Sequence, residues 1–348
     1  MYYQIKSLYI KTFSWEYWPM WIIYFPTSFY YVYLSIKARS FFFFSASNPS
    51  IETGGMFFES KWKIFQLIPQ SFYPSTIYVD INKNTPSIVK QMEAAKIKFP
   101  VIAKPDRGEK GWCVKKINSI QELEEYRSRI NIPFLIQNYV DYPLEFSIFY
   151  YRNPSRQKGL ITSVTMKKML TVTGDGTSSI DKLIQNNNRA FLQYKRLSRI
   201  SEINFHHVPG KGEKVVLVPY GNHVLGAMFL DYNHIIDDAL TAVFDNLSNK
   251  IEGFYFGRYD LRCTSIEDLK MGKNISVLEL NGAGAQPAHI YDPKFSFFEA
   301  QYVLAKHYNM MFETASENNK RGIGYMSYQS FKKMKKLEKD HKLKVNTL

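Results

Sequence analysis

The residues best suited to chemistry lie in two short apolar stretches. Ile275-Ser276-Val277-Leu278-Glu279-Leu280-Asn281-Gly282 carries Glu279 and Asn281 two positions apart in an otherwise apolar run. A period of two puts both side chains on one face of a strand. Upstream, Phe256-Gly257-Arg258-Tyr259-Asp260-Leu261 reads as a second strand, with Arg258 and Asp260 on one face. If the strands pair, Asp260, Glu279 and Asn281 converge as three hard oxygen ligands beside an arginine. Such a set suits Mg²⁺, which takes few protein ligands and fills its sphere with water and phosphate oxygens. The arginine offers the forked geometry that grips a phosphate. A plain charged hairpin is the bland alternative for either strand alone.

A third strand strengthens the case. Phe99-Pro100-Val101-Ile102-Ala103-Lys104-Pro105 delivers Lys104 just before the loop Asp106-Arg107-Gly108-Glu109-Lys110-Gly111-Trp112. The N–H groups of a glycine loop can cradle an anion, although a hairpin turn gives the same pattern. Around these strands the spacing predicts helices over 57–68, 84–98, 121–128, 180–187, 235–251, 297–308 and 332–344. Further strands are expected at 77–79, 134–140, 146–150 and 160–166, with Ser178 or Ser179 capping the helix at 180. The basic stretch Arg189 to Arg199 reads as a solvated amphipathic helix in preference to a nucleic-acid contact.

The chain has 348 residues, enough for several subdomains around a sizeable core. Lys+Arg 45 against Asp+Glu 31 leaves +14, which favours anionic partners without choosing among them. Cys113 and Cys263 read as free thiols in a reducing compartment. From Tyr17 to Ile36 there is no charge, and Lys37 and Arg39 follow. Pro26 and the load of Tyr and Trp argue against a membrane span and for apolar surface. That surface is packed either on the protein's own core or a second copy, or on a membrane.

These motifs resemble the ATP-grasp superfamily. The order of 99–114, 136–146, 257–260 and 278–281 is similar to D-alanine–D-alanine ligase. Thr173-Gly174-Asp175-Gly176-Thr177-Ser178-Ser179-Ile180 resembles a segment of cyanophycin synthetase and related carboxylate–amine ligases. The resemblance covers about residues 57–295 and implies an α+β fold in which two α+β subdomains clasp ATP. It divides the chain into an aromatic N-terminal segment (1–55), a linker and pre-grasp region (56–98), a small subdomain (99–150), a large subdomain with the metal site (151–315) and a basic tail (316–348).

By the same resemblance Lys104 and Lys61 contact phosphates, and Arg107 to Trp112, with Gly108 and Gly111, form a lid. Gln137, Tyr139 and Val140 meet adenine, although relatives often have glutamate at the Gln137 position. Glu145 meets the ribose, and Lys167 (or Lys168) lies near adenine or the phosphates. Arg258, with Lys104, is catalytic. Asp260, Glu279 and Asn281 hold Mg²⁺ (two ions, or Mn²⁺). The loop Gly282-Ala283-Gly284-Ala285-Gln286-Pro287 would face the acceptor, offering backbone N–H groups. The usual N-terminal domain is missing, and the aromatic segment stands in its place.

The expected activity is an ATP- and Mg²⁺-dependent ligase joining a small-molecule carboxylate to an amine through an acyl phosphate. A small-molecule kinase, or an inactive nucleotide-binding scaffold at a membrane surface, is the alternative. No nucleic-acid partner is expected. The expected location is the cytoplasm, with contact to the inner face of the membrane through the N-terminal segment, and a homodimer is a further option.

Overall fold

In the computed structural model the described residues are 2–108, 111–200 and 203–345. The elements run α1 (Tyr2–Phe13), α2 (Met20–Ala38), α3 (Lys61–Leu67), β1 (Thr76–Val79), α4 (Thr85–Ala94), β2 (Val101–Pro105), β3 (Lys115–Ile117), α5 (Ile120–Arg129), β4 (Phe134–Asn138) and β5 (Leu144–Tyr151). There follow β6 (Leu160–Lys168), β7 (Leu170–Thr173), α6 (Ile180–Asn186), α7 (Asn188–Leu192), α8 (Tyr194–Leu197), β8 (Lys214–Val218) and β9 (Met228–Asp231). The chain closes with α9 (Asp238–Asn249), β10 (Phe256–Cys263), α10 (Ile266–Met271), β11 (Ile275–Asn281), α11 (Phe297–Lys320) and α12 (Tyr328–Val345).

The class is α+β. A four-stranded antiparallel sheet, β1-β4-β2-β3, is joined through residues 139–143 to a five-stranded antiparallel sheet, β11-β10-β5-β6-β9. A small ribbon, β7-β8, packs on α6, α7 and α8. Alternation along each strand sorts the two faces of each large sheet. On the four-stranded sheet, Val101, Ala103, Phe134 and Ile136 pack against Ile88, Met92 and Leu123 of α4 and α5. Its other face carries Lys104 and Gln137. On the five-stranded sheet, Ile148, Tyr259, Leu261 and Val277 pack against Leu240, Phe244 and Leu247 of α9. Its opposite face is polar, and there the candidate site lies.

Caps set the helix starts. Ser60, Asn84, Ser119, Ser179 and Ser265 each accept a backbone N–H of the following turn. The cap at Ser60 shortens the helix expected over 57–68 to 61–67. Phe58 holds a positive φ, and Phe57 instead packs with the front of the chain. The two chemical strands are not a tight hairpin, because α10 lies between them. The helix expected to end at 308 continues to Lys320, because Met311 and Ala315 remain buried against Phe43 and Phe44.

The front segment is helical despite Pro26. Proline inside a helix costs about 3 kcal/mol. Burial of Ile23, Thr27, Leu34 and Ser35 on one side of α2 offsets it. Past α2 the chain crosses close to the end of β11. A Cβ on Gly55 would lie 2.6 Å from the Gly282 Cα, so the crossing requires glycine. Asn48, fully buried, donates to the Gly54 and Phe256 carbonyls and accepts from the Tyr255 and Phe256 N–H groups. The stretch 48–55, a turn-rich link by sequence, is thereby bonded into the edge of the core.

Candidate active site

The antiparallel register of β10 and β11 sets Asp260 opposite Glu279 and Arg258 opposite Asn281. A register shift follows immediately after Asp260. Across the other edge of β10, Asp260 lies opposite Ser147 and Arg262 opposite Glu145. Lys167 of β6 completes the row. It lies 3.2 Å from Asp260 Oδ1 and 3.5 Å from Glu145 Oε1.

Asp260 is the hub. Arg258 grips it through Nε (3.0 Å) and an Nη (2.9 Å). The Ser147 hydroxyl and the Asn281 amide also donate to it. Burial pushes its carboxyl pKa up, but Arg258 and Lys167 outweigh burial and hold it well below the usual carboxylate range. Asp260 is therefore ionised across the whole working pH range, as a metal ligand must be. Glu145 accepts from Arg262 Nε at 3.1 Å, and Arg262 also donates to the Val140 carbonyl at 2.8 Å.

Lys104 arrives from the facing sheet. Its ammonium donates to Gln137 Oε1 (3.0 Å) and to the Leu278 carbonyl of β11 (2.9 Å), and it sits over the Phe65 ring. Burial brings its pKa down to about 8, with Glu279 pulling it up and Lys61 pushing it further down. Lys61 lies 3.6 Å from Glu279 Oε1 and donates to the Gly108 carbonyl, tying the loop to β11. Its place is set by Asp106, which accepts from the Ser60 hydroxyl and the Trp62 N–H at the start of α3.

The candidates named from sequence thus fall into groups. Lys61, Lys104, Gln137, Glu145, Lys167, Arg258, Asp260, Glu279 and Asn281 share the cleft between the sheets. Tyr139 and Val140 lie on the strip that joins the sheets, the Tyr139 ring beneath the Lys116 ammonium at 4.0 Å. Arg107 turns elsewhere. It pairs with Glu52 at 2.8 Å and donates to the Phe58 carbonyl, while its own carbonyl meets His341 of α12. Gly108 and Gly111 flank the loop, and Glu109 and Lys110 lie outside the described residues. A Cβ on Gly111 would meet the Asn222 amide at 2.8 Å. Lys168 is exposed, away from the row.

The loop after β11 corrects one expectation. The Ala283 and Gly284 N–H groups donate to the Gly54 and Gly55 carbonyls at 2.9 and 2.8 Å. They hold the front segment and do not face an acceptor. At the Arg258 end the walls are side chains and one carbonyl. Arg258 donates to the Gln286 carbonyl at 3.1 Å, and Tyr291 donates to Gln286 Oε1 at 2.7 Å.

Two members escaped the sequence reading. Arg262 follows Asp260 by two and Ser147 follows Glu145 by two, so the same alternation carried one step further finds both.

Among the described residues no cluster of three His, Cys, Asp or Glu gathers as a metal cage. The donor set is instead two carboxylates and an amide oxygen on adjacent strands. That is a fit for a hard cation that brings its own water and phosphate ligands. Five cations, Lys61, Lys104, Lys167, Arg258 and Arg262, face three carboxylates, Glu145, Asp260 and Glu279. The excess positive charge suits a polyphosphate.

No protein-family model matches the chain, and no curated protein matches its sequence. Several solved structures are similar to it at low identity. The D-alanine–D-alanine ligase from Bacillus anthracis complexed with ATP is 14% identical, with 78% of this chain and 69% of that one covered and a TM-score of 0.43. The D-Ala:D-Ser ligase from Enterococcus faecalis is 14% identical, with 74% and 64% covered and a TM-score of 0.42. A bifunctional glutathione synthetase from Pasteurella multocida is 14% identical, with 67% and 33% covered and a TM-score of 0.37. The chain spans a third of that synthetase and under two thirds of the D-Ala:D-Ser ligase.

Proposed function

We propose that this chain is an ATP-grasp enzyme that uses ATP and Mg²⁺ to join a carboxylate to an amine through an acyl phosphate. The observation that carries the reading is the Asp260–Glu279 and Arg258–Asn281 pairing on one polar face, with Lys104 reaching that face from the opposite sheet. Asp260, Glu279 and Asn281 would hold Mg²⁺, which neutralises phosphate charge and keeps the phosphates in line; Mn²⁺ suits the same oxygens. Lys104 and Lys61 balance charge on the phosphates. Tyr139, Val140 and Gln137 border the base, and Glu145, already polarised by Arg262 and Lys167, takes the ribose hydroxyls. Arg107 joins them only by leaving Glu52. Arg258 steadies the moving phosphoryl and then the tetrahedral oxyanion formed when the amine attacks.

No protein nucleophile is needed. Acceptor recognition falls to Arg258, Gln286 and Tyr291, because the Ala283, Gly284 and Ala285 N–H groups are already bonded. Tyr24 of α2 closes that end; it is half-buried in the cluster that holds Tyr291 and lies near enough to Tyr291 and Arg258 to interact electrostatically with both.

The test is a screen of carboxylates and amines for ADP release, followed by mass analysis. The expected result is ADP and inorganic phosphate in equal amounts with an amide product. Oxygen-18 from the acceptor carboxylate should appear in the phosphate. A stable phosphorylated product formed without free phosphate moves the assignment to a kinase.

A further inference from the structure

The face of α2 turned away from α11 is an apolar stripe. Trp21, Phe25, Phe29, Tyr33 and Ile36 recur at helical spacing along it, each 52% to 71% exposed. The stripe runs about 22 Å along the helix at 1.5 Å per residue. Neighbouring α1 adds Ile5, Leu8, Tyr9 and Phe13, 62% to 75% exposed. At the start of α11, which packs beside α2 through the Gln301–Ile23 hydrogen bond, Phe298 and Tyr302 are also exposed. Isolated surface hydrophobes are ordinary, but an apolar stripe running the length of a helix marks an interaction surface.

Charge identifies the occupant. Lys11, Lys37 and Arg39 are exposed at the ends of α1 and α2. Residues 1–51 contain one carboxylate, Glu16, and it is buried in a pair with Arg189 (2.6 Å) and His223 (3.0 Å). On α11, Glu299 is tied into a capping box with Ser296. A two-fold contact between copies would set the same patch against itself and bring lysine toward lysine. An anionic bilayer answers both features. Its acyl boundary accepts the Trp, Phe and Tyr side chains, and its headgroups meet the basic ends. None of the described helices is long and apolar enough to cross a membrane, so α2 would lie in the plane of the surface.

We infer that α1 and α2 form a docking face for an anionic lipid surface, with α2 lying flat at the headgroup boundary. Tyr24, on the inner side of the same helix, would then hold the Arg258 end of the cleft close to that surface.

The test uses the full chain in flotation with phosphatidylcholine vesicles, with and without phosphatidylglycerol. Binding should need phosphatidylglycerol and weaken as salt rises. F25S/F29S should lower partitioning by roughly tenfold or more, because two exposed rings no longer enter the boundary. Its melting temperature and its response to Mg-ATP should stay unchanged, since both rings lie outside the core. K37E/R39E should lose the preference for anionic vesicles and keep the fold. Absence of flotation, or equal flotation with neutral vesicles, overturns the inference. So does a dimer in sedimentation that F25S/F29S dissolves, because the stripe would then be occupied by a second copy.

Discussion

Replacing Glu279 by Gln separates chemistry from folding. The Glu279 side chain is 36% exposed, and its ion pair with Lys61, itself 15% exposed, spans 3.6 Å. A half-exposed pair at that distance contributes about 1 kcal/mol, and Lys104 can shed its proton when the Glu279 charge is lost, so the variant should melt within about 3 °C of the parent. Its effect on nucleotide binding should be far larger. Loss of residues that only orient metal ligands costs roughly 10–100-fold in affinity, so loss of a ligand charge itself should cost about 100-fold or more. With Mg-ATP at about 100 times its Kd, the parent gains about 2.7 kcal/mol, and a 100-fold weaker variant gains about 0.4 kcal/mol. In melting temperature the ligand shift should fall from roughly 5–10 °C to about 1 °C. The assay is a thermal melt of both proteins without ligand, with Mg-ATP, and with ATP plus chelator. Equal Mg-ATP shifts in parent and variant would refute the metal role. A variant that melts far below the parent without ligand would refute the claim that Glu279 is dispensable for the fold. Asp260→Asn is the less informative change, because breaking a buried, multiply paired carboxylate costs about 3–5 kcal/mol by itself.

Lys104 and the buried histidines give opposite pH signatures. Lys104 has its pKa lowered from 10.5 to about 8, so between those values the unfolded chain binds the proton and the folded one does not. The Lys104 contribution to ligand-free stability, read as the difference between parent and K104M, should therefore rise from pH 8 toward 10.5, against the opposing trend of the buried Cys263 thiol and tyrosines, while Mg-ATP affinity falls over the same range if Lys104 meets the phosphates as proposed. K104M should remove the fall in Mg-ATP affinity, and a parent whose Mg-ATP affinity is flat through pH 8 to 9 would count against the assignment. His289 and His307 are buried, and burial lowers each from 6.5 to about 4. The unfolded chain binds more protons between those values, so stability is full above pH 6.5 and is lost as pH falls toward 4, by roughly 3 kcal/mol per histidine. Acid melts of H307Q should show a smaller slope than the parent in that window, beside the part due to His289 and the paired carboxylates, and an unchanged slope would show that His307 is not buried in its neutral form.

Much of the cleft was legible because alternation is a local rule. Once Asp260 and Glu279 are read as strand residues, their facing positions follow from the period of two, and the register of β10 and β11 agrees. The same rule stopped short at Arg262 because the strand was ended at Leu261, and at Ser147, inside the expected strand, because a lone hydroxyl among apolar residues carries no charge to mark it. Helix limits were harder to read. Apolar spacing at 57–68 looks helical throughout, but the Ser60 cap and the positive φ at Phe58 decide the true start. The helicity of α2 was not legible at all. Pro26 and β-favouring aromatics argue against it locally, and it is burial against α11, a partner nearly 300 residues away, that overrides them. The hydrogen bond from Gln301 to the Ile23 carbonyl marks that contact, with a separation of 278 residues.

The loop after β11 shows why a motif cannot be read without its neighbours. Glycines next to a metal strand suggest N–H groups free for an oxyanion. Those same glycines also permit a close backbone crossing, and here the crossing takes them. The Ala283 and Gly284 donors pair with the Gly54 and Gly55 carbonyls, and Asn48 locks the crossing strand to Tyr255 and Phe256 at the head of β10. Arg258 stands two residues further along that strand. The backbone that positions Arg258 is therefore the backbone that the front segment grips. Loosening residues 48–55 should reach the arginine before it reaches Lys104, which is held by the other sheet. An acceptor brought to Arg258 meets the Gln286, Tyr291 and Tyr24 end of the cleft, where two of the three named residues are tyrosines and none is charged. Its carboxylate finds one cation there, Arg258, which is already forked onto Asp260. On the proposed reading, an acceptor carboxylate and Asp260 compete for the same Arg258 donors.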